Sequence, residues 1–227
     1  MVLEKAVKQA SKILKNHNIH SHELDAQLIL SDIMKVKRES LITNNEVVIS
    51  EKIMEKYDIA VRRRIKGEPI AYITGKREFW SVDFLVNHET LIPRAETELL
   101  IYKLVNFFKN KRINILDIGT GSGCILLSIL KEINFSRGIG IDISSKAIQM
   151  AEANSKYLQL LYRSKFKVID LDKFNIGKYD LIVSNPPYIP SRDIKNLSKD
   201  ITNFEPLIAL DGGIDGLDLI KKVIYKS

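Results

Sequence analysis

The chain holds a single cysteine, Cys124, so no internal disulfide can form, which fits a reducing cytoplasm. No apolar run approaches the ~20 residues of a membrane span. The N-terminus reads as an amphipathic helix with lysines throughout and lacks the apolar block of a secretory signal. Internal repeats and low-complexity tracts are missing as well. His20-x-His22 has no third ligand beside it, so it reads as a surface pair near a helix start rather than a metal site. Nor is there a concentrated basic patch. The formal net charge is +7, but the excess is spread over both halves of the chain. Its densest cluster, Arg62-Arg63-Arg64, falls near an expected helix end, where cations complement the helix dipole. A solvated helix end is therefore the simpler reading, and direct nucleic-acid binding is not expected.

What is present suits a packed core. Hydrophobic residues make up 45% of the 227 and charged residues 28%, enough for one large domain or one with a small partner. The first part is helical: Leu3, Ala6, Val7, Ala10, Ile13 and Leu14 recur at helical spacing. Ser21 is placed to cap a second helix bearing Leu24, Leu28 and Ile33. A short turn of helix is expected around Arg38–Ile42. A third long helix begins after Ser50, carries Ile53, Tyr57, Ala60, Val61 and Arg64 roughly on one side, and stops at Gly67. Between Phe79 and Ile92 the period changes to two. Val82, Phe84 and Val86 alternate with other positions, and a polar Asn87-His88-Glu89 turn suggests a hairpin connector. Helical spacing returns from Glu96 to about Lys109.

From Ile113 onward strands and helices alternate. Strands are expected at Ile113–Ile118, Gly138–Ile141, Phe166–Ile169 and Tyr179–Ser184, with helices through about Glu132 and from Ser144 or Ser145 to about Leu158. That rhythm predicts a doubly wound, mostly parallel α/β sheet. Asp117-Ile118-Gly119-Thr120-Gly121-Ser122-Gly123 sits between a strand and a helix, the context that gives a glycine-rich loop meaning. The next strand ends in Asp142, about 20 residues on, placed for its carboxylate to meet ribose hydroxyls. The loop alone leaves a structural turn or another nucleotide site open. Cys124 is most simply a small buried residue, with no histidine near it in sequence.

The fourth strand runs into Asn185-Pro186-Pro187-Tyr188. Proline cannot donate to a ladder, so the strand ends abruptly and presents an amide (Asn185), a backbone carbonyl (Pro186) and an aromatic face (Tyr188). Such a corner suits a planar group that carries an NH2. Ligands of open α/β sheets bind outside the carboxyl ends of the strands, which brings Asn185 toward Gly119–Gly123.

Several segments resemble known families. Gly-x-Gly-x-Gly is similar to the first motif of class I methyltransferases, which bind S-adenosylmethionine. Asn-Pro-Pro-Tyr resembles the signature of enzymes that methylate planar amino groups. Gly67–Gly75, Arg77–Trp80, Leu91–Glu98, Val183–Ile189 and Phe204–Leu207 together resemble blocks of the release factor glutamine N5-methyltransferases. Amino-methylating nucleic-acid enzymes share the four-residue motif but not these blocks.

The resemblance implies a Rossmann-like class I methyltransferase sheet over residues 93–227, a hairpin linker over 79–92 and an N-terminal helical substrate-recognition domain over 1–78. It implies a class 1 peptide-chain release factor as protein substrate, methylated at the glutamine of a Gly-Gly-Gln loop in the cytoplasm. Cofactor contacts are implied for Gly119, Thr120, Gly121, Ser122, Gly123, Asp142, Asp170 and Asn185, with Asp170 or Leu171 flanking the adenine. Asn185, Pro186, Pro187 and Tyr188 are implied to hold the acceptor, with Asn185, Pro186 and Tyr188 as the catalytic set; no metal is required. The family's sheet has seven strands against four read here, so a C-terminally shortened sheet is expected. A truncated, non-catalytic cofactor-binding protein is the competing expectation.

Overall fold

A computed structural model describes residues 1–43, 46–175 and 177–227. The chain divides into two compact units, Met1–Gly75 and Lys76–Ser227.

The first unit is helical: α1 (Leu3–Asn16), α2 (His22–Met34), α3 (Arg38–Thr43), α4 (Glu51–Ile65) and α5 (Ile70–Thr74). Leu3, Ala6, Ala10 and Leu14 form the buried stripe of α1. On α2 the buried stripe is Ala26, Ile29 and Leu30, while Leu24 is left exposed. Ser21 stands at the start of α2 but caps no backbone amide; its hydroxyl donates to Asp25 (2.8 Å). Asp25 is buried and also accepts from Arg64 Nε (2.6 Å). Arg63 forks onto Glu68 through Nε (2.7 Å) and Nη2. Two members of the arginine cluster are thus absorbed in ion pairs inside this unit. Tyr57 is buried and donates to the Ala26 carbonyl (2.8 Å). His22 Nδ1 lies 2.9 Å from the Ser11 hydroxyl, an ordinary polar contact.

The second unit begins with a hairpin of β1 (Lys76–Phe79) and β2 (Val82–Leu85). Its turn is Trp80-Ser81, earlier than the Asn87–Glu89 turn expected from the sequence. Both turn residues have positive φ, 52° and 56°, the two-residue geometry whose twist matches the flanking strands. That geometry normally calls for Asn or Gly, so Trp-Ser gave no local signal. Here Glu98 accepts the Trp80 amide (3.0 Å) and Glu132 accepts its indole N–H (2.8 Å). Asn87 does make a turn, through its carboxamide to the Glu89 amide (3.0 Å), but no strand returns from it.

After α6 (Glu98–Phe107) come β3 (Asn114–Ile118), α7 (Cys124–Glu132), β4 (Arg137–Asp142), α8 (Ser145–Tyr157), β5 (Ser164–Val168) and β6 (Leu181–Ser184). The four strands are parallel in the order β5-β4-β3-β6. Alternation along β3 sends Ile115 and Asp117 to one face and Leu116 and Ile118 to the other. Ile115 joins the larger core with α6, α7 and the hairpin residues Phe79, Val82 and Phe84. Leu116 and Ile118 pack with Ile141 and Leu171, covered by Leu219 and Val223 of α10 (Asp218–Lys226). A short helix, α9 (Lys199–Phe204), precedes α10. The chain leaves β3 toward β4 and β5, then returns to β6 on β3's other side. That reversal opens a crevice between the carboxyl ends of β3 and β6.

Candidate active site

Ile118 and Ser184 are paired in register, so the loop after β3 and the chain after β6 start side by side. The Ser184 hydroxyl donates to the Ile118 carbonyl (2.8 Å), tying those two ends together. The β3 loop is held from beneath: the amides of Gly119 and Thr120 both donate to the Ile141 carbonyl, at 2.9 and 3.0 Å. Gly119 and Gly121 have φ of 70° and 54°, values that L side chains resist, and the space beside both Cα atoms is open. Gly123 (φ 78°) starts α7 against Ala151, where a Cβ would lie 3.2 Å from the Ala151 Cβ.

Asp142 ends β4 and faces this loop. Its Oδ2 accepts the Gly121 amide (3.0 Å) and its Oδ1 accepts the Ser144 amide at the start of α8 (2.9 Å). Ser144 in turn caps α8 by accepting the Ala147 amide (3.2 Å). Each Asp142 oxygen keeps a second lone pair, so the carboxylate can orient the loop and still accept a ligand hydroxyl.

A cleft of about 680 Å³ opens over these elements. Gly119, Thr120, Gly121, Ser122, Asp142, Asp170 and Asn185 line it, as does Pro187. Gly123 lies behind the loop, where it starts the helix. Neither Pro186, half-buried, nor Tyr188, 63% exposed, contributes to the lining. Asp170 and Leu171 both reach the cleft, but Asp170 Oδ1 already accepts the Asp172 amide (2.8 Å), whereas Leu171 is a buried apolar wall. The Asn185 side chain makes no hydrogen bond among the described residues, which leaves its carboxamide available to a ligand.

Two groups under the loop are perturbed. Asp117 is buried, and its carboxyl is pushed up from 3.8 to about 7. Burial is the main cause and Asp142 adds repulsion, while the Thr120 hydroxyl and the Leu126 amide oppose the shift. Thr120 Oγ1 donates to Asp117 Oδ2 (2.7 Å), and Oδ1 has no hydrogen-bond partner among the described residues. Burial likewise pushes the Cys124 thiol up to about 12, so it stays protonated and is no nucleophile at neutral pH.

Other cleft residues gave no chemical signal in the sequence. Leu91, Pro93, Arg94 and Thr97 form part of the wall, as do Pro206, Leu207, Ile208 and Ala209. Asn154 is fully buried on α8; its amide donates to the carbonyls of Leu85 and Ser122, and its oxygen accepts the Leu85 amide. In sequence it is one more polar residue on an amphipathic helix.

Family models match along the chain: a PrmC N-terminal domain over residues 5–75 and a methyltransferase small domain over residues 95–203. The release factor glutamine methyltransferase of Bradyrhizobium diazoefficiens is 37% identical over 229 residues, covering 99% of this chain and 77% of that protein. The protein of that name from Clostridium acetobutylicum is 38% identical, covering 100% of this chain and 81% of its own length. Among solved structures, the hMettl16 catalytic domain in complex with MAT2A 3'UTR hairpin 6 superposes with a TM-score of 0.54 at 16% identity. That match covers 78% of this chain and 63% of hMettl16's, and it is a likeness of fold alone.

Proposed function

The chain belongs to the release factor glutamine methyltransferase family, and from that premise we propose the following reaction. It moves a methyl group from S-adenosylmethionine to the side-chain amide nitrogen of the glutamine in the Gly-Gly-Gln motif of class 1 peptide-chain release factors. The observation that carries this reading is the meeting of Asn185 with Gly119–Ser122 and Asp142 in one cleft.

The residues present fit the cofactor. Gly119 and Gly121 leave backbone bare where a ligand must come close. Asp142 retains lone pairs for ribose hydroxyls, and Leu171 with the exposed Ile143 offers apolar surface for a purine. When bound, S-adenosylmethionine supplies an electrophilic methyl on sulfonium sulfur.

The protein's own work is at the acceptor. An amide nitrogen shares its lone pair with the carbonyl and is a weak nucleophile. The Asn185 Oδ1 and the Pro186 carbonyl accept its two N–H groups and fix its approach. The same two oxygens stabilise positive charge growing on nitrogen as the new N–C bond forms. Pro187 keeps Pro186 extended and so fixes the aim of that carbonyl. Tyr188, exposed before the acceptor arrives, supplies a face for the planar amide. The proton leaves after transfer, so no strong base is needed. In this reading Met1–Gly75 is the substrate-recognition unit and the protein works in the cytoplasm.

Labelled S-adenosylmethionine offered to a class 1 release factor, to DNA and to RNA tests this. Label recovered in N5-methylglutamine is the expected result. Label in nucleic acid would replace the reading with an amino-methyltransferase of DNA or RNA. Cofactor binding with no transfer to any of them would make the chain a non-catalytic binding protein.

A further inference from the structure

Two sequence blocks have no role in the reaction as described, Leu91–Glu98 and Phe204–Leu207, and the fold brings them together. Arg94 and Glu205 are 111 residues apart in sequence, yet the Arg94 guanidinium donates to Glu205 Oε1. Glu205 Oε2 accepts the Ile92 amide (3.2 Å). Both oxygens of this carboxylate, whose side chain is 1% exposed, are therefore committed to one short segment.

Glu205 does not line the cleft, but the residues on each side of this contact do: Pro93 and Arg94 on one strand of chain, Pro206–Ala209 on the other. Past Ala209 the chain is anchored again. Ile189 donates its amide to the Leu210 carbonyl (3.2 Å), and its carbonyl accepts the Gly212 amide (2.9 Å). Ser191 donates its amide to the Gly213 carbonyl (2.9 Å) and its hydroxyl to Asp211 (2.7 Å). Residues 206–209 thus form a strap. One end is held by Glu205, and the other is joined to the segment that continues directly from Tyr188.

An ion pair with a buried carboxylate and a partly exposed guanidinium is a poor way to add stability, since apolar residues of similar volume often do as well. What it supplies is a fixed position. The strap's attachment to Ile189 ties it to the segment that continues from Tyr188, the side of the cleft on which the acceptor is proposed to sit. Its Leu207 and Ile208 stay 58% and 60% exposed, apolar surface suited to a peptide loop more than to a polar cofactor.

We propose that Arg94 and Glu205 are positioning residues that lock residues 206–209 as the acceptor-side wall, setting how the acceptor loop is presented to Asn185. This rests on the protein-methylation reading above. The test uses the full chain with Glu205→Gln, which keeps the side chain's size but not its charge, and Glu205→Ala as the stronger change. Amide exchange by mass spectrometry is read over residues 91–97 and 206–211, and over the cofactor loop at 113–123. In parallel, S-adenosylmethionine affinity and release-factor kinetics are measured.

Exchange is expected to quicken about tenfold or more in the first two segments and stay unchanged in the third. Cofactor Kd should change less than about twofold while kcat/KM for the release factor falls roughly 10- to 100-fold. Equal losses of cofactor affinity and acceptor kinetics, or strap exchange identical to wild type, would overturn the proposal. If the wild-type chain methylates no release factor, the function reading fails on its own, and the exchange data still decide whether the lock holds the strap.

Discussion

Replacing Asn154 by Leu probes how the cofactor loop is held. Asn154 is fully buried and makes three hydrogen bonds, to the Leu85 amide (2.7 Å), the Leu85 carbonyl (2.9 Å) and the Ser122 carbonyl (2.9 Å). Leu has similar volume, so little cavity forms, and the loss is almost wholly polar. Leaving a buried donor or acceptor without a partner costs about 1–3 kcal/mol. Ser122 is buried, whereas Leu85 is partly open to water, which relieves its two groups in part. The expected loss is therefore about 3–5 kcal/mol, in the lower part of the roughly 3–9 kcal/mol that three full penalties would cost. For a domain of this size that lowers Tm by roughly 6–20 °C. Trp80 is the only tryptophan and sits in the hairpin of the second unit, so its fluorescence follows the unit in question. Urea and thermal melts on that signal read the change. Cofactor affinity should fall as well, because the Ser122 end of the loop loses its tether. A loss below about 1 kcal/mol would refute the argument that these bonds are unmatched in the variant.

Other substitutions test separate parts of the account. If Asn185 holds the acceptor amide as proposed, Asn185→Ala should lower transfer by at least about 10²-fold while keeping much of the cofactor affinity; turnover at the wild-type rate would show that proposal to be wrong. Asp117 is raised from 3.8 to about 7, so between those values the folded chain binds more protons than the unfolded one. Its contribution to stability accordingly falls as pH rises through that window, by up to roughly 1.4 kcal/mol per unit. Asp117→Asn should remove this slope, and a stability difference from wild type that stays constant between about pH 4 and about pH 7 in urea melts would contradict it. Ser81→Gly should stabilise the hairpin by about 0.5–1 kcal/mol, because φ near 56° is open to glycine without strain; an unchanged or lower Tm on the Trp80 signal would count against that reasoning.

Features encoded by local spacing could be read directly. The alternation of β3, β4, β5 and β6 with helices, and the glycine loop between β3 and α7, follow from hydrophobic period and from where glycine is tolerated. The hairpin turn is not legible locally because its residues, Trp80 and Ser81, carry no turn signal, and Trp80 is held by Glu98 and Glu132, distant in sequence. On α2, Leu24 is exposed while its neighbour Asp25 is buried. Nothing within α2 says that Asp25, paired with Arg64, would take a buried place there instead.

The class of the fold, the family and the main residues at the two sides of the cleft, Gly119–Ser122 with Asp142 on one and Asn185 with Pro187 on the other, are legible in the sequence alone. These are written in short runs whose backbone needs are local: a positive φ, a missing donor, a strand's carboxyl end. Which residues join those sides into one site follows from contacts made on folding. Asn154 reaching Ser122 and Glu205 meeting Arg94 are contacts between segments far apart in sequence, and the burial of Asp117 under the loop depends on elements packed over it. Their energies come from burial and pairing, which exist only once the sheet and its helices have closed around them.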